Sequence, residues 1–229
     1  EALEALAEAA RRERAKVVYL SNPDNPMGTW WNAGAIADFI DAVPEETLVL
    51  LDEAYCETAP RTALPALDIS RENVIRTRTF SKAYGLAGMR VGYAVGEAGF
   101  IKAFDKVRNH FGVTRMSQAA ALAALADQDW LHEVVAKVAA ARDRLAAIAQ
   151  SNGLNAIASA TNFVAIDCGR DGAFAMKVLK ALEARGGFVR KPMAPGLDRC
   201  IRVSVGPAAE LDVFATELPM ALADAAASQ

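Results

Sequence analysis

Apolar residues recur in this chain with two periods, and the switch between them separates helices from strands. In residues 1–16, Leu3, Leu6 and Ala10 share one face among Glu and Arg, which predicts an amphipathic helix. Val17–Ser21 is an unbroken apolar run, read as a parallel strand buried on both faces. The turn cluster Asn22-Pro23-Asp24-Asn25-Pro26-Met27-Gly28-Thr29 closes it, with two prolines fixing φ and a glycine releasing it. Asn32 opens a helix through Ala42, with Ile36, Phe39 and Ile40 apolar. Residues 48–51 form a second buried strand that runs into Asp52-Glu53-Ala54-Tyr55, and 58–70, with Pro60 and Pro65, read as loop. Strands follow at 73–80 and 91–95, then a helix at 100–108. A long Ala-rich helical stretch covers 114–150, broken near Asp127-Gln128-Asp129 and stopped by Ser151-Asn152-Gly153.

The character changes after Leu154. Strand patterns at 155–159 and 163–167 precede a helix at 173–185, whose apolar face carries Phe174, Val178, Leu179 and Leu182. Gly186-Gly187 stops that helix; strands at 188–190 and 200–205 and a final helix from Ala208 complete the chain. Strands and helices alternating before residue 150 predict an α/β fold, a mostly parallel sheet with flanking helices. Residues 151–229 predict a smaller carboxy-terminal α+β domain, so the expected domains are 1–150 and 151–229.

Composition narrows the chemistry. With 53% hydrophobic residues, 229 residues can enclose a large core, and a net charge of −3 without a basic stripe argues against nucleic acid as a partner. No apolar run is long enough to cross a bilayer and no signal-peptide pattern opens the sequence, so no membrane partner is expected. Three widely spaced cysteines, Cys56, Cys168 and Cys200, suit small buried apolar roles in a reducing compartment, the cytoplasm. His110 and His132 lack ligand spacing, so no metal is expected.

Parallel-sheet enzymes build their sites at the carboxyl ends of strands. Three features fall there: Asn25 after the first strand, Asp52 and Tyr55 after the second, Lys82 after the third. Around Lys82 stand Thr79, Ser81 and Arg90. An amine of this kind forms a Schiff base with an aldehyde cofactor, while hydroxyls and a guanidinium hold a phosphate. If the ligand is pyridoxal phosphate, each residue has a task. Lys82 bonds the aldehyde, Asp52 pairs with the pyridinium nitrogen, Asn25 and Tyr55 take the ring hydroxyl oxygen, and Thr79, Ser81 and Arg90 share the phosphate. Taken singly, Asp52 suits a helix N-cap, Asn25 a turn, Tyr55 a core position and Arg90 a surface charge. Their joint placement favours the cofactor.

These segments resemble the fold type I pyridoxal-phosphate aminotransferases, in the branch containing histidinol-phosphate aminotransferase. The resemblance rests on Asn22-Pro23-Asp24-Asn25-Pro26-Met27-Gly28, Asp52-Glu53-Ala54-Tyr55, the run from Ser81-Lys82 to Met89-Arg90, and Ile201-Arg202-Val203-Ser204-Val205-Gly206. Asp24 and Met27 depart from the family's commoner Asn and Thr, outside the residues assumed to touch cofactor. The resemblance implies Lys82 as catalytic residue, Arg202 gripping a substrate anion and Arg190 a substrate phosphate or nearby anion. It implies transfer of an amino group from an amino acid or amino-alcohol phosphate to a 2-oxo acid, in a homodimer. Decarboxylation of a phosphorylated amino acid and a non-catalytic truncated paralogue stay open as alternatives. The family's amino-terminal arm, phosphate-cradling loop and ring-stacking aromatic have no counterpart here. The sequence therefore looks like the carboxy-terminal two-thirds of such an enzyme, and a functional protein is expected to extend beyond it.

Overall fold

A computed structural model describes residues 2–227; Glu1 of the expected first helix lies outside them. The chain divides into two compact units. The first comprises residues up to Pro23 together with Trp30–Val134, the second Asp24–Thr29 together with residues from Val135 onward.

The first unit holds a four-stranded sheet, β1 (Val17–Ser21), β2 (Leu48–Asp52), β3 (Val74–Thr79) and β4 (Gly92–Val95), in that spatial order. The first three run parallel and β4 returns antiparallel to β3. Helices α1 (Leu3–Arg12) and α2 (Ala33–Ala42) cover one face, where Leu3, Ala7, Ile36 and Phe39 pack on Val18, Leu20, Val49, Leu51 and Val74. The Asn32 side chain caps α2 by accepting the Ala35 N–H at 2.8 Å. The expectation that β1 is buried on both faces is corrected. Among the described residues it pairs with β2 alone; Val18 and Leu20 point into the core, and Val17 and Tyr19 are 51% and 53% exposed. Helix α1 also stops short of Lys16, because Arg14 takes a positive φ of 48°.

Beyond β4, the expected helix at 100–108 starts two residues earlier and is shorter, as α3 (Ala98–Ala103), since Glu97 accepts the N–H groups of Gly99 and Phe100; a 3-10 turn, Phe104–Lys106, follows. The long helical stretch is α4 (Arg115–Ala126) and α5 (Gln128–Ser151), broken at Asp127 as expected. Asp127 ends α4, and its side chain takes the Trp130 N–H at the start of α5. The loop 58–70 contains a second 3-10 turn at Arg61–Ala63.

The second unit holds an antiparallel sheet of β5 (Asn155–Ala156), β6 (Phe163–Asp167) and β7 (Cys200–Ser204). Helices α6 (Gly172–Ala184) and α7 (Ala208–Ala227) and the end of α5 pack on it through Leu145, Val164, Ile166, Val178, Leu182, Ile201, Leu211 and Leu218. Two strand expectations are corrected. The run 155–159 pairs as a strand over two residues only, because Ser159 turns back to donate to the Phe163 carbonyl. The run 188–190 is no strand but a single bridge, Arg190 to Arg202, after a turn with Gly186 at φ 82°.

Candidate active site

In the first unit, register aligns Ser21, Asp52 and Thr77 in one row at the carboxyl ends of the three parallel strands. Asp52 shares the sheet face of Tyr19, Leu50, Thr77 and Thr79, opposite the α1–α2 core. Its carboxylate is held twice: Oδ2 accepts the Tyr19 hydroxyl at 2.7 Å and Oδ1 the Ala54 N–H at 3.0 Å. Thr79 Oγ1 accepts the Ser81 N–H at 3.1 Å, shaping the turn that leads from β3 to Lys82. Phe80 anchors that turn between Tyr84 and Tyr93, at ring distances of 4.9 and 5.8 Å. Lys82 Nζ stands 5.2 Å from the ring centre of the buried Tyr55. Arg90 adopts left-handed backbone at φ 52° and donates from Nη1 to the Ala87 carbonyl at 2.9 Å. Asp52, Thr77, Thr79, Ser81 and Arg90 line one open recess of about 320 Å³.

Glu53 has no role among the residues expected from sequence. It is 1% exposed and spans two arginines of β3, meeting Arg76 Nη2 at 2.5 Å and Arg78 Nε at 2.9 Å. The signal was present: two arginines at i and i+2 on a strand leading into the core require a buried counter-charge. Arg76 and Arg78 leave β3 on the face opposite Thr77 and Thr79, so the Glu53 pair braces the strand from behind the recess. Burial pushes the neighbouring Glu57 carboxyl above its usual range and the Cys56 thiol well up. The three cysteines are free and buried, and burial raises Cys168 to about 11, as befits inert thiols.

In the second unit, Arg202 Nη1 donates to Asn25 Oδ1, and the guanidinium lies 4.7 Å from the ring centre of Phe163. Arg190 and Arg202 exchange backbone hydrogen bonds at 3.0 and 2.6 Å, so both side chains leave the same face. Asn25 is presented by a turn in which the Gly28 N–H bonds the Asp24 carbonyl and the Gly28 carbonyl accepts the Ala160 N–H. Gly28 has φ 81°, and a Cβ there would meet Ser159 Oγ at 2.3 Å. Gly28→Ala is therefore expected to cost roughly 1–3 kcal/mol from overpacking alone. It should also loosen the Asn25–Arg202 contact. Urea unfolding tests this, and an unchanged midpoint would mean that the turn yields freely.

Among the described residues, no group of three or more His, Cys, Asp or Glu side chains is arranged to hold a metal ion, and no helix is long and apolar enough to cross a membrane. The sequence profile of the family "Aminotransferase class I and II" matches residues 1–218. The chain belongs to that family. Histidinol-phosphate aminotransferase 1 of Mesorhizobium japonicum is 40% identical over 220 residues, covering 93% of this chain and 59% of that protein. Histidinol-phosphate aminotransferase 2 of Carboxydothermus hydrogenoformans is 40% identical over 224 residues, covering 96% and 61%. The crystal structure of histidinol-phosphate aminotransferase from Sinorhizobium meliloti in complex with pyridoxal-5'-phosphate superposes with a TM-score of 0.95 at 54% identity, covering 96% of this chain and 61% of that one. The chain thus spans about three-fifths of the length of these family members.

Proposed function

We propose that this chain contributes most of the machinery of a pyridoxal-phosphate-dependent aminotransferase that takes the amino group of histidinol phosphate, or a similar amino acid or amino-alcohol phosphate, and passes it to a 2-oxo acid. The observation that carries this is the recess lined by Asp52, Thr79, Ser81 and Arg90, one residue from Lys82. Its donor set fits the cofactor: two hydroxyls and a guanidinium suit a phosphate, and a carboxylate suits a protonated ring nitrogen. When bound, pyridoxal phosphate supplies an aldehyde for amine capture and a ring that accepts electrons.

The chain's own residues divide the remaining work. Lys82 Nζ would serve as the nucleophilic amine and would carry the proton at the substrate α-carbon as general base and then general acid. Asp52 holds the pyridinium proton through a carboxylate already oriented by two donors. Tyr55 and Asn25 are assigned the ring oxygen. Thr79, Ser81 and Arg90 bind the cofactor phosphate, and Arg190 and Arg202 the substrate anions. A homodimer is the assembly we assign, from the family resemblance. The buried free thiols support placing it in the cytoplasm.

Purified natural protein should carry a visible absorption band that shifts when histidinol phosphate is added and returns with a 2-oxo acid. Carbon dioxide release from threonine phosphate, without return of the band, would favour decarboxylation instead. Losing a charged hydrogen bond costs roughly 1.5–3 kcal/mol, so Arg202→Ala should weaken every anionic substrate about 10- to 100-fold. Arg190→Ala should penalise phosphorylated donors more than plain amino acids in KM. Equal losses for both donor classes would remove the case for a phosphate-bearing substrate.

A further inference from the structure

Tyr19 lies outside every role assigned above. It sits on strand β1, two residues before Ser21, the register partner of Asp52, and on the same sheet face. A phenol that is 53% exposed ordinarily satisfies its hydroxyl with water. Here it reaches diagonally across to β2 and donates to Asp52 Oδ2 at 2.7 Å, in the range of a charge-assisted O–H···O⁻ bond. The terminal torsion of an aspartate is soft and roughly two-fold. With the Ala54 N–H alone on Oδ1, the carboxylate plane could turn about that one bond. A second donor on Oδ2 fixes the plane. An ionised carboxylate accepts about four hydrogen bonds, so two donors leave acceptor sites for a ligand in the recess.

We propose that Tyr19 is a positioning residue whose hydroxyl sets the orientation of the Asp52 carboxylate for the N–H of a nitrogen heterocycle bound in the recess. This rests on the assignment of Asp52 to the pyridinium nitrogen. Tyr19 does not touch the reacting atoms; it acts through Asp52. Alternation lets it do so without disturbing the core, since Val18 and Leu20 on the other face make the packing contacts of the strand.

The test is a double-mutant cycle in the full-length natural protein, with Tyr19→Phe, which keeps the ring and removes only the hydroxyl, and Asp52→Ala. Two quantities are read: the Kd for pyridoxal phosphate by equilibrium dialysis, and the visible circular dichroism per bound cofactor, which reports how the ring is held. Tyr19→Phe should raise Kd roughly three- to tenfold, the worth of one hydrogen bond, and reduce the dichroic signal. Asp52→Ala should do more, and adding Tyr19→Phe to it should change neither quantity further. The proposal is overturned if Tyr19→Phe leaves both quantities unchanged, or if its effect is undiminished in the Asp52→Ala background, which would mark a packing role. If Asp52→Ala itself leaves cofactor binding intact, the Asp52 assignment fails and the Tyr19 proposal falls with it. That outcome is distinct from a failure of Tyr19 alone.

Discussion

Lys82→Ala in the full-length protein is expected to cut transamination by at least about 10²- to 10⁴-fold, the range attributable to a positioned acid–base group, with a further loss from the missing nucleophile. If Thr79, Ser81 and Arg90 hold the phosphate as proposed, anchoring would survive, because the Ser81 N–H to Thr79 bond holds the turn without the lysine side chain. The cofactor should therefore still bind, but exchangeably and without a covalent link to the chain. Lys82→Arg separates charge from nucleophilicity: the guanidinium keeps the positive charge and cannot be deprotonated, so it should be as inactive as alanine. Borohydride treatment of the wild type followed by peptide mapping should find the cofactor on Lys82 Nζ. Labelling of another lysine, or a Lys82→Ala protein that turns over within tenfold of wild type, would remove this residue from the centre of the mechanism.

Much of this architecture could be read from residue pattern. The apolar run 48–51, and Val74-Ile75 within 73–80, marked the inner parallel strands β2 and β3. Asp127 announced the break between α4 and α5, since a side-chain acceptor at that point both ends one helix and caps the next. The convergence of Asp52, Thr79, Ser81 and Arg90 on one recess followed from their positions at strand ends.

What escaped was set by tertiary context. Val17 and Tyr19 look like core residues in sequence, but burial on the second face depends on what lies over that sheet face, which no local period encodes. Residues 188–190 carry a β-like composition and still make only one bridge, because the preceding glycine turn delivers a single residue into register with Arg202. The Tyr19–Asp52 bond joins residues 33 positions apart on neighbouring strands, and only the register reveals it. The same holds for Asn25 and Arg202, separated by 177 positions.

Glu53→Ala is expected to be the most damaging single change to stability in the first unit. The wild-type carboxylate is 1% exposed and serves two guanidinium groups, one of them on a residue only 4% exposed. Arg76 also donates to the Ala66 and Pro65 carbonyls at 2.7 and 3.1 Å, which ties the loop after the 3-10 turn to β3, but neutral carbonyls do not cancel its charge. Removing one partner of a buried pair costs about 3–5 kcal/mol, because the remaining charge stays desolvated. Against a typical total of roughly 5–15 kcal/mol, that is enough to unfold a marginal protein. Glu53→Gln keeps the shape and a hydrogen-bond acceptor, so it should lose less than the alanine variant. Cofactor binding should suffer alongside, because β3 carries Thr77 and Thr79 on its recess face and loses its brace on the other. Urea unfolding of both variants, followed by a cofactor titration at a temperature where each is folded, separates the two effects. A loss below about 1 kcal/mol for Glu53→Ala, the worth of an exposed pair, would show that the two arginines reach solvent and that the triad does not brace the site.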